Sequence, residues 1–358
     1  MSDRLAALRE TLNDLDAILI NEPDNRRYLS GFTGSAGVLI ISKDVAILAT
    51  DFRYYTQVTQ EATPFTLAEV GYGFTDHLPK LLKDLNARRV GFESQHLTVS
   101  ELETWKNAVT DVDWCPTTGR VEALRAIKSE AEIDTLRRAV QVADQALERA
   151  RKDIHPGVTE REVVWSLKTA MHDIGDSEPS FEIIVASGLS SAKPHARAGD
   201  TEIPIGVPIV IDMGALVDGY RSDMTRTLVL SEPDETFLKV YPVVLDALDT
   251  AEKVILPGIT GKEGDALARD LISDAGSGDQ FGHGLGHSLG LAIHESPRLS
   301  FLANDDPLLA NTMMTVEPGI YLPEWGGIRI EDLVVIRESG VEILTETPKR
   351  LEDQIIPI

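Results

Sequence analysis

Apolar and polar positions alternate along this chain in two distinct rhythms. Short β-rich runs at Ala17 to Asn21, Val38 to Ile41, Val45 to Ala49 and Val90 to Phe92 are separated by stretches of helical period. The first twelve residues, Met1 to Leu12, set Leu5, Leu8 and Leu12 on one stripe, as an amphipathic helix does. Thr98 with Glu101 forms a capping-box pattern that starts a helix, and Ser129 with Glu132 forms another. The second box opens a long helix with an apolar stripe at Ile133, Leu136, Val140, Ala143 and Leu147. At 358 residues the chain is longer than one core comfortably serves. An α/β first domain over residues 1–124 and a second domain over 125–358 are therefore expected, with the joint between Val121 and Ile127.

The second domain repeats itself. Pro156-Gly157-Val158-Thr159 with Glu162 recurs as Pro257-Gly258-Ile259-Thr260 with Glu263, each copy closing one helix and capping the next. The segments C-terminal to the two copies are also alike. Ile211-Asp212-Met213-Gly214 corresponds to Val316-Glu317-Pro318-Gly319, and a second carboxylate then precedes another β-rich run, Asp223 in one half and Glu331 in the other. Two related halves with an internal pseudo-two-fold are the expected architecture.

The carboxylates change the picture from fold to chemistry. Asp218-Gly219 marks a two-residue hairpin turn, and pairing Val217 with Tyr220 sets Asp212 diagonal to Asp223 on one face of the ribbon. Glu317 and Glu331 flank a longer turn, and by the repeat they face the first pair. Four acids in apolar surroundings repel one another by roughly 4 kcal/mol per pair at ~4 Å and an effective dielectric near 20. They need cations. Arg226 and Arg329 are near in sequence, but two divalent metal ions fit the count better, with an imidazole completing the donors. Gly282-His283-Gly284-Leu285-Gly286-His287-Ser288 and the subsequent His294-Glu295-Ser296-Pro297 supply three of the eight histidines within twelve positions. His195 stands apart in Lys193-Pro194-His195-Ala196, and His155 and His172 read as ordinary helix-end and helix-face residues.

Composition narrows the partners. The net charge of −24 opposes binding to nucleic acid or an anionic membrane. No apolar run is long enough for a bilayer, and the start lacks a signal-peptide pattern, so a cytoplasmic protein is expected. The single cysteine, Cys115, reads as an inert thiol.

With these residues in place the second domain resembles the pita-bread metallopeptidases, the family of methionine aminopeptidase, aminopeptidase P and prolidase. The resemblance implies Asp212, Asp223, His287, Glu317 and Glu331 as ligands of two divalent metals, manganese first, with cobalt or zinc as alternatives. It implies that Asp223 and Glu331 bridge the metals and that Glu317 is also the general base. It further implies that His195 and His294 line the substrate site and stabilise the tetrahedral intermediate, that His283 contacts substrate beyond the scissile bond, and that Tyr321 and Arg329, near Asp212, also belong to the substrate-binding set. Tyr28-Leu29-Ser30-Gly31-Phe32-Thr33-Gly34-Ser35-Ala36-Gly37 and Thr50-Asp51-Phe52-Arg53-Tyr54 are similar to motifs of the creatinase-type N-terminal domain. That domain implies small peptides with proline in second position as substrates, and a homodimer. Aminopeptidase P is the reading taken on those motifs. Prolidase, restricted to dipeptides, is the alternative within the same chemistry. A non-catalytic pita-bread module and a metal-free amidinohydrolase of the creatinase type are the more distant ones, and the intact ligand set speaks against both.

Overall fold

The computed structural model describes residues 2–358, so the Met1 end of the expected N-terminal helix lies outside the described residues. The chain divides into two compact units, Met1–Arg125 and Ala126–Ile358.

In the first unit a six-stranded sheet forms the frame. Its centre is Ala17–Ile20, antiparallel to Val38–Ser42 on one side and parallel to Arg89–Glu93 on the other. Ala46–Thr50 and Thr66–Glu69 extend one edge, and Asp113–Thr117 closes the other. The four β-rich runs all become strands. Thr66–Glu69 and Asp113–Thr117 carry too few apolar residues to stand out from sequence, and both are edge strands. The N-terminal helix, Ser2–Glu10, ends before Leu12, yet Leu5, Leu8 and Leu12 are all buried. Thr98 and Glu101 make the reciprocal capping bonds that start the helix Val99–Ala108.

The second unit is built from two matching halves. Each has a helix pair joined at the Pro-Gly turn. Glu130–Ala150 meets Glu160–Gly175 in the first half, and Glu235–Val254 meets Gly261–Asp274 in the second. Both turns work the same way: Gly157 at φ 88° and Gly258 at φ 98° take left-handed backbone that a side chain resists, and Thr159 and Thr260 then cap the next helix with Glu162 and Glu263. The correspondence extends to the backbone, since Ile203 N donates to Val158 O and Leu308 N to Ile259 O. Ile133, Leu136, Val140, Ala143 and Leu147 are all buried, as the stripe of the long helix requires.

Each half buries its helices against its own antiparallel ribbon. Ile209, Ile211, Met224 and Leu228 form one core with Leu147, Leu167 and Met171. Met314, Val316, Ile328 and Val334 form the second with Phe237, Leu248 and Ile272. The ribbons meet along a seam where Thr225 pairs with Glu331, so the centre of the pita-bread fold is a line of strand residues drawn from both halves.

Candidate metal centre

Register brings the four acids together. In the first ribbon Pro208–Met213 pairs with Met224–Leu230, Asp212 opposite Thr225, and the hairpin closes with Val217 opposite Tyr220. Asp218 and Gly219 both take positive φ, 48° and 81°, the backbone that a two-residue turn between twisted strands requires. Asp223 thus falls diagonal to Asp212 on the same face. In the second ribbon Val316 pairs with Asp332 and Gly319 with Arg329 in a single register, and Glu317 faces Glu331 between these two ladders. At the seam Glu331 N donates to Thr225 O, which sets Asp212, Thr225 and Glu331 in a row across three strands. One carboxylate oxygen each of Asp212, Asp223 and Glu331 lie within 4.8 Å of one another.

His287 comes from the glycine-rich segment. Gly286 passes so close to Thr315 that a Cβ would stand 2.0 Å from its carbonyl oxygen, and the His287 amide donates to Thr315 Oγ1. The ring Nδ1 lies 3.1 Å from the Ser288 carbonyl, which can only accept, so Nδ1 carries the proton and Nε2 is left as a lone pair. Nε2 lies 3.7 Å from Asp223 Oδ2 and 3.6 Å from Glu317 Oε1. Burial, with His294 beside it, lowers the pKa of His287 to about 4, so the ring is neutral and free to act as a donor atom.

The electrostatics test whether metal ions fit. Burial and the neighbouring acids push Asp223 and Glu331 well above the ordinary carboxylate range. Glu317 rises to about 8, by burial and the charge of Asp212. Asp212 Oδ1 and Asp223 Oδ1 are buried without a hydrogen-bond partner. Among the described residues one cation answers the four acids: Arg329, whose Nη2 lies 2.6 Å from Asp212 Oδ2. Converging carboxylates, orphaned oxygens and an imidazole lone pair fit divalent metal ions as the missing charge.

Around these residues lies a cavity of about 560 Å³ lined by His195, His283, His294, Arg298, Phe181 and Ile184 among others. The His294 ring lies 4.5 Å from that of His287, and burial together with Arg298 and His195 lowers its pKa. Arg329 Nη1 donates to Tyr321 Oη at 2.8 Å, and Tyr321 Oη in turn donates to His283 Nε2 at 2.9 Å, since Nδ1 of that ring donates to the Gly284 carbonyl. Tyr321 is thus linked to Asp212 through Arg329, does not line the cavity, and joins the acid side of the site to the cavity wall at His283.

Arg226 turns away. It is fully buried on the opposite face of its strand, with Nη2 at 2.7 Å from Asp332 Oδ1, because consecutive strand residues alternate faces. His155 and His172 do not line the cavity. Cys115 lies in the first unit, and burial with Asp113 nearby raises its pKa, so little thiolate forms.

Three polar residues at the site escaped the sequence reading. Thr225 Oγ1 donates to Glu331 Oε2 at 2.6 Å, and Thr315 Oγ1 lies 3.3 Å from Glu317 Oε1. Both stand two residues from a site acid, so strand period alone could have found them. Arg298 could not be found that way. It pairs directly opposite His287 across a ladder whose register shifts between His287 and Ser288.

Comparison with known proteins bears on this geometry. The model of metallopeptidase family M24 matches residues 134–338, and that of the creatinase/prolidase N-terminal domain matches residues 4–127. An Xaa-Pro dipeptidase of Pyrococcus furiosus is 38% identical over 355 residues, 98% of this chain and 100% of that protein. The solved Xaa-Pro dipeptidase from Bacillus anthracis superposes with a TM-score of 0.96 at 41% identity, covering 99% of each chain. The crystal structure of an X-Pro aminopeptidase from Thermotoga maritima superposes with a TM-score of 0.90 at 38% identity, covering 98% of this chain and 99% of the other. A family match across more than half of the chain and relatives alike over its whole length agree with the acid-rich centre: this chain belongs to metallopeptidase family M24, as a metal-dependent hydrolase of the pita-bread fold.

Proposed function

We propose that this enzyme is an Xaa-Pro dipeptidase, with Asp212, Asp223, His287, Glu317 and Glu331 holding two divalent metals. The names carried by the Pyrococcus and Bacillus relatives favour the dipeptidase over the aminopeptidase P expected from the N-terminal motifs. The observation that carries the reading is Arg298. Its position opposite His287 sets a guanidinium on the cavity wall beside the metal centre, with no carboxylate paired to it among the described residues. A dipeptide puts its free carboxylate one residue from the scissile carbonyl, where such a cation can take it. A longer peptide has an amide there instead.

Bound metals supply a water acidic enough to ionise near neutral pH and an electrophile for the scissile carbonyl. Glu317, with its backbone tied to Leu285 O, accepts the water's proton and returns it to the proline nitrogen as that bond breaks. His294 and His195 line the cavity, where imidazole N–H groups stabilise the developing oxyanion. The donor set, four carboxylates to one imidazole, favours manganese over softer ions.

A peptide-length series tests this. Ala-Pro is hydrolysed and Ala-Pro-Ala is not, and Arg298→Met raises KM for Ala-Pro by about 10- to 100-fold, the worth of a hydrogen bond to a charged group. Efficient release of alanine from the tripeptide restores aminopeptidase P.

A further inference from the structure

One guanidinium touches both sides of the substrate wall without entering the cavity. The helix Gly261–Asp274 carries Asp265 and Arg269 one turn apart, paired through Nε to Oδ2 at 2.6 Å and Nη2 to Oδ1 at 2.9 Å. Asp265 is buried, and its Oδ1 also accepts from Leu285 N at 2.9 Å. Leu285 O accepts from Glu317 N at 2.8 Å. The carboxylate therefore reaches the backbone of Glu317 through a single residue, Leu285.

Arg269 works on the substrate side. Its Nη1 donates to Phe281 O at 2.8 Å and its Nη2 to His283 O at 2.6 Å, so the guanidinium grips the backbone on either side of Gly282. Its face lies 4.3 Å from the Phe281 ring centre and 4.6 Å from that of Phe301. Phe281 packs edge-on to the His283 ring, and Phe301 is next in the chain to Ser300, which lines the cavity as His283 and Arg298 do. The segment bearing His283 is rich in glycine and forms no strand of its own before Gly286, so its position depends on contacts such as these. A planar fork that donates in several directions and stacks on both faces is what arginine offers and lysine does not.

We propose that Arg269 is a positioning residue for substrate affinity, holding His283 and the Arg298–Phe301 segment at the spacing that fits the proline end of the substrate. The proposal rests on the Xaa-Pro peptidase reading. It separates Arg269 from a plain folding role, because a folding defect lowers the active fraction, and with it kcat, while leaving KM unchanged.

The test is steady-state hydrolysis of Ala-Pro by the metal-loaded full chain. Arg269→Lys raises KM about tenfold with kcat within about twofold, the loss expected for a few charge-assisted contacts. In a His283→Ala background the same substitution raises KM by clearly less than tenfold, about threefold, because the imidazole is gone and only the Arg298–Phe301 segment is left for Arg269 to position. An unchanged KM overturns the proposal, as does an undiminished increment in the His283→Ala background. Should Arg269→Lys fail to fold, Phe301→Leu carries the test alone, since Phe301 is 47% exposed and its loss removes only the stack. A KM raised about threefold supports the proposal and an unaltered one overturns it. A wild-type enzyme inactive on every Xaa-Pro peptide overturns the peptidase reading, and this inference with it, an outcome distinct from an active enzyme indifferent to Arg269.

Discussion

Two buried charge clusters lie back to back on the same strands of the second unit, and they obey opposite rules. On one face Asp212, Asp223, Glu317 and Glu331 converge with Arg329 as the protein's cation. On the other, Arg226 and Asp332, each next in the chain to the seam pair Thr225 and Glu331, meet at 2.7 Å, and Lys349 Nζ meets Asp332 at 2.7 Å and Glu252 at 2.6 Å. The second cluster sets two bases, Arg226 and Lys349, among its acids, with Asp249 also 3.7 Å from Lys349. Burial raises Asp332, but Arg226 and Lys349 more than offset it and hold its carboxyl below the ordinary value. The first cluster is three cations short among the described residues, and Asp223, Glu317 and Glu331 all titrate upward, whereas in the second Glu252 rises while Asp332 is held down. Burial is common to both, so burial alone does not mark a metal site. The uncompensated charge does.

Identical chemistry should therefore have opposite consequences on the two faces. Asp223→Asn is expected to lower kcat at least ~1000-fold and reduce bound metal below two ions per chain, since it removes one of the carboxylates proposed to hold the metals. It should nevertheless raise the Tm of the metal-free protein, because it relieves like-charge repulsion. Asp332→Asn should do the reverse, leaving metal content intact while costing roughly 3–5 kcal/mol, as removal of one partner strands Arg226 in the interior. Metal analysis and thermal unfolding of both variants decide the point, and Tm shifts of the same sign in the metal-free proteins would erase the distinction.

pH sharpens the contrast. Glu317 moves from an ordinary value of 4.5 up to about 8, so between those limits the native state holds a proton that the unfolded chain has released. More protons bound to the native form means that stability falls as pH rises through this window. Protein stripped with EDTA should lose on the order of 5–10 °C of Tm between pH 5 and pH 8. Glu252, also pushed up to about 8 by burial and Asp332, adds a slope of the same sign. That slope is present with or without metal, so it cancels when the two forms are compared. The metal-loaded form needs its acids ionised and should be stabilised increasingly over the same range. Parallel pH profiles for the two forms would sink the argument.

Much of the fold and site was legible in the chain, and what failed did so for identifiable reasons. The Asp-Gly turn and the period of two placed Asp212 and Asp223 on one face, because a two-residue hairpin determines register. The repeat of Pro-Gly-x-Thr with Glu three residues later located both helix pairs, because capping is local chemistry. Arg226 is near the acids in sequence, but the same period of two that joins the aspartates turns it to the opposite face. Glu317 and Glu331 could be assigned to a site but not to a register, since the Pro323–Gly327 turn is too long to dictate pairing. Arg298 and Arg269 were invisible for a deeper reason. One depends on a bulge, and the other acts from a helix through backbone carbonyls that no side-chain motif records.

The smallest predicted effect asks how far the metal face extends beyond its acids. Thr225 and Thr227 lie on the same side of one strand, both fully buried, and each hydroxyl is spent at the seam between the halves. Thr225 Oγ1 donates to Glu331 Oε2 and accepts from Arg329 Nε at 3.1 Å, so it fixes two charged groups of the site relative to each other. Thr227 Oγ1 donates to the Arg329 carbonyl at 2.7 Å and touches backbone alone. Valine has nearly the shape of threonine without the hydroxyl. Thr225→Val should weaken metal affinity about tenfold, the usual worth of a group that orients a ligand, with kcat at saturating metal changed by less than about threefold. Thr227→Val should cost about 1–2 kcal/mol of stability, from an unsatisfied buried carbonyl, with metal affinity unchanged. Metal titration of the two variants compares a hydroxyl that orients a ligand with one that only closes the seam. Equal affinities would mean that Glu331 is held by its strand alone.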